Sequence, residues 1–266
     1  MATILPDIEK ETQLRRILDD FDTISLDEMG KVKLMNRIDT KYVVSVAQLM
    51  SILSSMKDNY RIQVVESQEI ASYRTVYFDT ENAIMYLMHQ NGRKTREKIR
   101  VRTYVDSALT FLEVKNKNNH GRTKKTRITV QSTETLAQDG ADDFLSTNAW
   151  YRLSELSPRL ENQFGRITLV DKNLTERLTI DLGISFINKK NGRKASLPEI
   201  AVVELKREGL KPSFALDVLK NNRIQKASFS KYCMGCALTD DTLKQNLFKP
   251  KIRNIHKVLN MNIINI

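Results

Sequence analysis

The sequence is poor in the residues that most often announce chemistry. Its two cysteines, Cys233 and Cys236, form a single CxxC spacing. No second pair completes a zinc site and no strand pattern precedes them to suggest a thioredoxin-like motif, so they read as structural thiols. The three histidines, His89, His120 and His256, are scattered without ligand spacing and read as surface or loop residues. No stretch approaches the roughly 18 consecutive apolar residues of a transmembrane helix. The opening residues carry Asp7, Glu9 and Glu11 and no apolar signal-peptide core, so a soluble cytoplasmic protein is expected. GxGxxG is absent and nothing repeats at a fixed period, which counts against a doubly wound dinucleotide-binding fold.

What is abundant is positive charge. Lys and Arg number 43 against 32 Asp and Glu, a formal net charge of +11. Between residues 91 and 131 stand twelve basic residues and three acidic ones, so nine of the eleven net charges fall in that segment. Charge concentrated this way, with strand-like alternation, suits a polyanion: nucleic acid, a phosphorylated metabolite or an acidic membrane surface.

With 41% hydrophobic residues a real core is expected, and 266 residues fit one β-barrel with helical additions. Apolar spacing predicts helices over 8–20, 26–31, 46–56, 81–90 (behind a Thr80 N-cap) and 135–150, and again from Pro212 onward. Strands are predicted just after Asn36, over 60–65 and 72–78, three times between 93 and 130, and over 163–170, 176–187 and 199–207. The fold class this implies is α+β, an antiparallel sheet or barrel with peripheral helices.

Residues two apart in a strand share a face. Arg96, Lys98, Arg100, Arg102 and Tyr104 therefore lie together, with Ile99, Val101 and Val105 behind them. The same division places Glu113, Lys115 and Lys117 on one face, and likewise Lys125, Arg127 and Thr129; Arg177, Thr179 and Asp181; Arg37, Asp39 and Lys41; and Glu204, Lys206 and Glu208. One such strand is an ordinary solvent face. Like charges opposed on neighbouring strands are destabilising, however, and the middle strands are basic with almost no interleaved acid. A bound polyanion makes that tolerable, either on an open basic face or in a tunnel whose apolar outer surface is covered by helices.

The ordered series RIDTKY (37–42), YRTVYFDT (73–80), KIRVRTY (98–104), FLEVK (111–115), ERLTID (176–181), VVELK (202–206) and FSKY (229–232) resembles the catalytic domain of the vacuolar transporter chaperone (VTC) family, over about 31–236. That family lies in the triphosphate tunnel metalloenzyme, or CYTH-like, superfamily. The resemblance implies an eight-stranded antiparallel tunnel in which ATP gives its γ-phosphate to a growing polyphosphate chain with Mn²⁺ or Mg²⁺. It implies phosphate-binding roles for Arg37, Lys41, Arg100, Arg102, Lys115, Lys125, Arg166, Arg177, Lys206, Ser230 and Lys231, with Lys41, Arg100, Arg102, Arg166 and Arg177 on the reacting phosphates. Glu204 matches the metal-binding glutamate. It further implies one domain over 1–266, with a helical cover (1–30), a tunnel core (31–236) and a basic helical tail (237–266). Hydrolytic superfamily members open on ExExK, whereas here Arg37, Asp39 and Lys41 stand there, which favours the polymerase branch.

Two alternatives stay open: a tunnel triphosphatase acting on tripolyphosphate or a nucleoside triphosphate, and a non-catalytic polyphosphate-binding protein. Partners expected are ATP and polyphosphate and not nucleic acid, since a single-strand binder wants aromatic platforms and only Tyr104 joins the main basic row. Eukaryotic family members carry a phosphate-sensing domain and membrane helices that these residues lack, so product export is not carried over. The tail, with Lys244, Lys249, Lys251, Arg253 and Lys257, leaves room for peripheral association with a membrane partner, although a solvated helical face is the favoured reading.

Overall fold

The computed structural model describes residues 4–30, 37–120 and 122–259, without the side chain of Arg37. Residues 31–36 of the expected core, Gly121 of the hairpin turn and the last residues of the basic tail lie outside this range. In chain order the strands are β1 (Asp22–Ile24), β2 (Arg37–Ser45), β3 (Tyr60–Gln63), β4 (Ile70–Asp79), β5 (Arg96–Tyr104), β6 (Leu109–Lys117), β7 (Thr123–Thr129), β8 (Ser157–Asp171), β9 (Glu176–Asn188), β10 (Lys194–Leu197) and β11 (Ile200–Glu208). The helices are α1 (Ile8–Asp19), α2 (Leu26–Met29), α3 (Val46–Met56), α4 (Ile84–Gln90), α5 (Ala141–Asn148), α6 (Phe214–Asn221), α7 (Lys231–Thr239) and α8 (Lys249–Val258).

Local chemistry fixes the ends of these elements. α3 starts where Ser45 and Gln48 cap each other's backbone N–H groups, and it ends as predicted at Met56. α4 starts three residues later than predicted. Ala83 is left-handed (φ 54°), and the Asp79 carboxylate accepts from the N–H groups of Met85 and Tyr86, both at 3.0 Å. α5 occupies only the second half of its predicted span. Asp139 instead holds a loop by accepting from Thr135 Oγ1 (2.7 Å) and Gln131 N (2.8 Å), and Gly140 turns the chain at φ 81°.

The strands make one sheet whose main path runs β2-β11-β9-β8-β4-β5-β6-β7, each antiparallel to the next. In a flat sheet β2 and β6, six steps apart, would be separated by about 29 Å. Here Lys41 of β2 and Lys115 of β6 line one cavity of about 390 Å³, so the sheet curls into a tunnel-like trough. The ring expected of a closed barrel is not completed: among the described residues no pairing joins β7 to β2. The free edge of β2 is already used, because Tyr42 bridges to Lys226 and Ala227 N donates to Lys41 O at 2.8 Å. The opposite edge, β7, is mostly exposed and rich in lysine, a composition that resists strand addition.

The convex side is apolar. α1, α3 and α6 cover the outer faces of β2, β11, β9 and β8 (Tyr42, Val44, Val203, Leu178, Ile180), and α5 with its flanking loops covers β4, β5 and β6 (Val76, Ile99, Val101, Leu112, Val114). Part of the concave side is also core. α7 is buried along nearly its whole length against Val43, Tyr77, Leu160, Phe186 and Val202. It sits this deep because Gly235 has no side chain: a Cβ there would lie 2.4 Å from Leu160 Cδ2 and 2.6 Å from Phe186 Cδ1. The helix therefore fills one part of the trough and presents its N-terminus to the rest.

Candidate functional site

The open part of the trough is lined by Asp39 and Lys41 from β2, Arg96 and Lys98 from β5, Lys115 and Lys117 from β6, Glu204 from β11, and the segment Ala227–Ser230 that leads into α7. Strand parity accounts for most of this list. Cross-strand partners place Lys98 opposite Lys115, Arg100 opposite Glu113, and Glu204 opposite Lys41 on the same face.

Three interior carboxylates are each held between two cations. Glu113 accepts from Arg100 Nε at 2.7 Å and meets Lys125 on its other oxygen. Asp181 takes a two-point contact from Arg166 (2.6 and 2.9 Å) and is bonded by Lys231. Glu204 pairs with Lys41 and stands 3.4 Å from Lys206. Burial alone would raise these acids. Instead Arg100, Arg102 and Lys125 hold Glu113 down to about 2, Lys206, Lys41 and Arg166 hold Glu204 down to about 2, and Arg166 and Lys231 hold Asp181 well below the usual carboxylate range.

Each of these groups carries one net positive charge, and further cations stand beside them. Lys98 Nζ donates to Ser230 Oγ at 3.0 Å, and Ser230 Oγ also accepts from the N–H of Cys233 as the cap of α7. Arg102 is only 7% exposed, donates through Nε to Thr75 Oγ1 at 3.2 Å, and among the described residues forms no ion pair. Burial, then Arg100 and Arg166, pushes it down to about 10. Lys206 and Lys231 are pushed down to about 8, by burial first and then, against the pull of Glu204 and Asp181, by Arg166. Desolvation in the cavity, then Lys98 and Arg100, draws Lys115 down to about 8 as well. This is the electrostatic state of a site preorganised for an anion. The positive end of the α7 dipole is aimed the same way.

Of the residues expected from sequence, Lys41, Lys115, Glu204 and Ser230 line the cavity, while Arg100, Arg102, Lys125, Arg166, Lys206 and Lys231 form the charged interior that adjoins it. Arg177 stands opposite Lys206 in the β9–β11 ladder and adds to its electrostatic load. Arg37 is opposite Glu208 by register, and its side chain lies outside the described residues. Several members were not singled out. Lys98 shares the parity of Arg100 and could have been chosen on that ground. His89, read as a surface residue, is half-buried in the cavity wall with Nδ1 3.0 Å from Cys233 Sγ; burial, then Lys98 and Arg96, keeps it neutral, down to about 3. Aromatic rings are also more numerous than the basic row suggested. Tyr73 stacks on Phe164 (5.1 Å), Arg166 and Arg102 lie over Tyr73 (5.0 and 5.5 Å), and Arg127 lies over Phe111 (4.2 Å). These rings come from β4, β6 and β8, so no single strand reveals them.

A curled antiparallel sheet with a cation-rich interior and paired carboxylates is a tunnel-type fold whose charge suits a phosphate anion. The model of the VTC domain matches residues 36–239, and the chain belongs to that family. No curated protein sequence matches. Among solved structures, the chain is similar to a protein from Bacillus halodurans named as a candidate adenylate cyclase (19% identity, 74% of this chain and 96% of that one, TM-score 0.46). It is also similar to a candidate adenylyl cyclase from Hippeastrum described as having a dominant triphosphatase activity (12% identity, 77% and 97%, TM-score 0.43). A third, a candidate adenylate cyclase from Vibrio parahaemolyticus, has 11% identity over 74% of this chain and 96% of that one, with a TM-score of 0.43. Among the described residues no helix is long and apolar enough to cross a membrane.

Proposed function

We propose that the protein is an ATP-dependent polyphosphate polymerase. The terminal oxygen of a polyphosphate chain attacks the γ-phosphorus of ATP, a P–O–P link forms, and the bond to the β–γ bridging oxygen breaks so that ADP leaves with the electron pair. Lys41, Lys98, Lys115 and Ser230 bind the phosphates in the cavity, and Arg100, Arg102, Arg166 and Arg177 neutralise charge deeper in. Arginine suits this task, since its planar fork takes two phosphate oxygens and stays charged at working pH. Catalysis of this kind needs positioning and positive potential more than covalent chemistry.

The observation that carries the choice of transfer over hydrolysis is the state of the carboxylates. Glu113, Asp181 and Glu204 are each held ionised and clamped between cations, so none is tuned to take a proton from water near neutral pH. A phosphate acceptor is already an anion and needs no base. Tunnel metalloenzymes use divalent metals, and the donor set fits one that arrives with its nucleotide. Among the described residues no three His, Cys, Asp or Glu side chains form a protein cage, but Glu204 lines the cavity, and one carboxylate with phosphate oxygens is a common Mg²⁺ or Mn²⁺ arrangement. Glu204 would hold the ion, which when bound supplies further charge neutralisation to the phosphate oxygens.

Incubation with ATP and Mn²⁺ or Mg²⁺ should yield ADP and a ladder of polymer on a gel that exopolyphosphatase removes. Orthophosphate with no polymer would move the assignment to a tunnel triphosphatase. Tight polyphosphate binding with no turnover would leave a binding protein.

A further inference from the structure

A second concavity, of about 540 Å³, lies at the end of the β6–β7 hairpin. Lys117, Arg122 and Lys124 line it together with Trp150, and among the described residues no carboxylate does. Trp150 is the single tryptophan of the chain, and it is 46% exposed. It is nevertheless held in place, because its backbone N–H donates to both oxygens of the buried Glu97 carboxylate at 3.1 and 3.2 Å. The rings of the tunnel interior are already covered by other rings or by guanidinium groups. Among the described residues, no ring or cation covers the indole of Trp150.

The groove adjoins the cavity at the end of the hairpin. Lys117 and Thr123, which pair at the last rung of the β6–β7 ladder, line both. A ligand that spans them needs a polyanionic tail for Lys98 and Lys115 on one side of that rung and a flat, stackable head for the indole on the other. We propose that this groove is a nucleobase subsite, in which the base of a nucleoside triphosphate stacks on Trp150 while its phosphates pass Lys117 into the cavity. The inference rests on the reading of the cavity as a triphosphate site and adds its nucleotide specificity. It also sets the polarity of entry: the γ-phosphate goes in first and the nucleoside stays at the rim, where the diphosphate product can leave. A polyphosphate chain has no group that the indole would hold.

Because the chain has one tryptophan, its fluorescence reports this groove alone. The intact protein is titrated with the non-hydrolysable imido analogue of ATP and, separately, with tripolyphosphate. The nucleotide should quench the emission saturably, and tripolyphosphate should bind by calorimetry without quenching. Trp150→Ala should raise the calorimetric Kd of the nucleotide about tenfold and leave that of tripolyphosphate within about twofold, with Trp150→Phe recovering most of the loss. Unchanged tripolyphosphate binding also shows that the variant is folded. If the nucleotide binds without altering the emission and Trp150→Ala binds it like the parent, the subsite is overturned while the triphosphate cavity stands. If neither ligand binds, the cavity reading fails and the subsite falls with it. Tighter quenching by oligoadenylate than by the nucleotide would overturn the proposal in favour of a single-stranded RNA groove.

Discussion

Arg102 and Arg166 are both arginines of the trough interior, and they should respond in opposite ways to the same substitution. Lowering the Arg102 pKa from its ordinary value to about 10 corresponds to about 3 kcal/mol working against the charged side chain in the unliganded protein. Arg102→Met removes that cost and keeps an unbranched apolar stem beside Tyr73. It also removes the bond to Thr75 Oγ1 and the contact of the guanidinium with the Tyr73 ring, together roughly 2 kcal/mol. The balance is near zero or mildly stabilising, so the thermal midpoint of the free protein should stay or rise by about 2–4 °C. Arg166→Met is different, because it strips a two-point partner from buried Asp181 and leaves the carboxylate with Lys231 alone. Breaking a buried pair costs about 3–5 kcal/mol, enough to lower the midpoint by roughly 10 °C or more. Tripolyphosphate affinity measured by calorimetry should then fall about 10- to 100-fold in Arg102→Met, the loss of one charge-assisted contact. The reasoning is refuted if Arg102→Met destabilises the free protein as much as Arg166→Met does, or if it binds tripolyphosphate like the parent. Arg102 would in either case be part of the scaffold and not a group waiting for an anion.

Glu204→Gln should bind tripolyphosphate at least as well as the parent in the absence of metal while losing about 100-fold or more in turnover; near-normal rates across a Mn²⁺ titration would place the metal elsewhere. Tripolyphosphate affinity should fall as pH rises from 7 to 9.5, because Lys115, Lys206 and Lys231 lose their protons near pH 8, and a flat or rising curve would contradict this. The ligand itself only gains charge over that interval. The sign for folding is opposite. These lysines bind protons less well folded than unfolded, so their penalty is full below about pH 8 and is relieved as pH climbs toward the unfolded value near 10.5, and the midpoint of the free protein should show that upward contribution. Gly235→Ala should cost on the order of 1–3 kcal/mol in chemical denaturation, since a methyl there meets Leu160 and Phe186; an unchanged midpoint would mean that α7 is not seated as described.

Much of this arrangement was legible because a strand alternates. Parity alone put Lys41 and Glu204 on charged faces, and the β2–β11 register sets them opposite one another. α3 was legible to the residue, since Ser45 and Gln48 form its cap and the apolar spacing runs unbroken to Met56. Parity states which side chains share a face and not what covers that face. Val43 and Val202 have the parity of Lys41 and Glu204, yet they lie under α7 in the core. The bond between Lys98 and Ser230 joins residues 132 apart, and the contact of His89 with Cys233 joins residues 144 apart. Neither leaves a trace in local pattern. The open seam was hidden for the same reason, because the segment that occupies the edge of β2 comes from beyond Lys226, far along the chain.

The three cation–carboxylate groups differ in how much chain each must wait for. Glu113, Arg100 and Lys125 belong to one three-stranded meander, so this group can assemble as soon as the meander is made, although the stretch as a whole stays strongly positive. Asp181 must wait for Lys231, 50 residues later, and Lys41, made early, must hold its place until Glu204 arrives. The cavity wall then needs Ser230 and Lys251 from the last part of the chain. Contacts of such long range form late, since loop closure precedes any gain from them. On the ribosome the meander can therefore fold before the cation-lined cavity exists, and that cavity is complete only once the segments carrying Ser230 and Lys251 have been made.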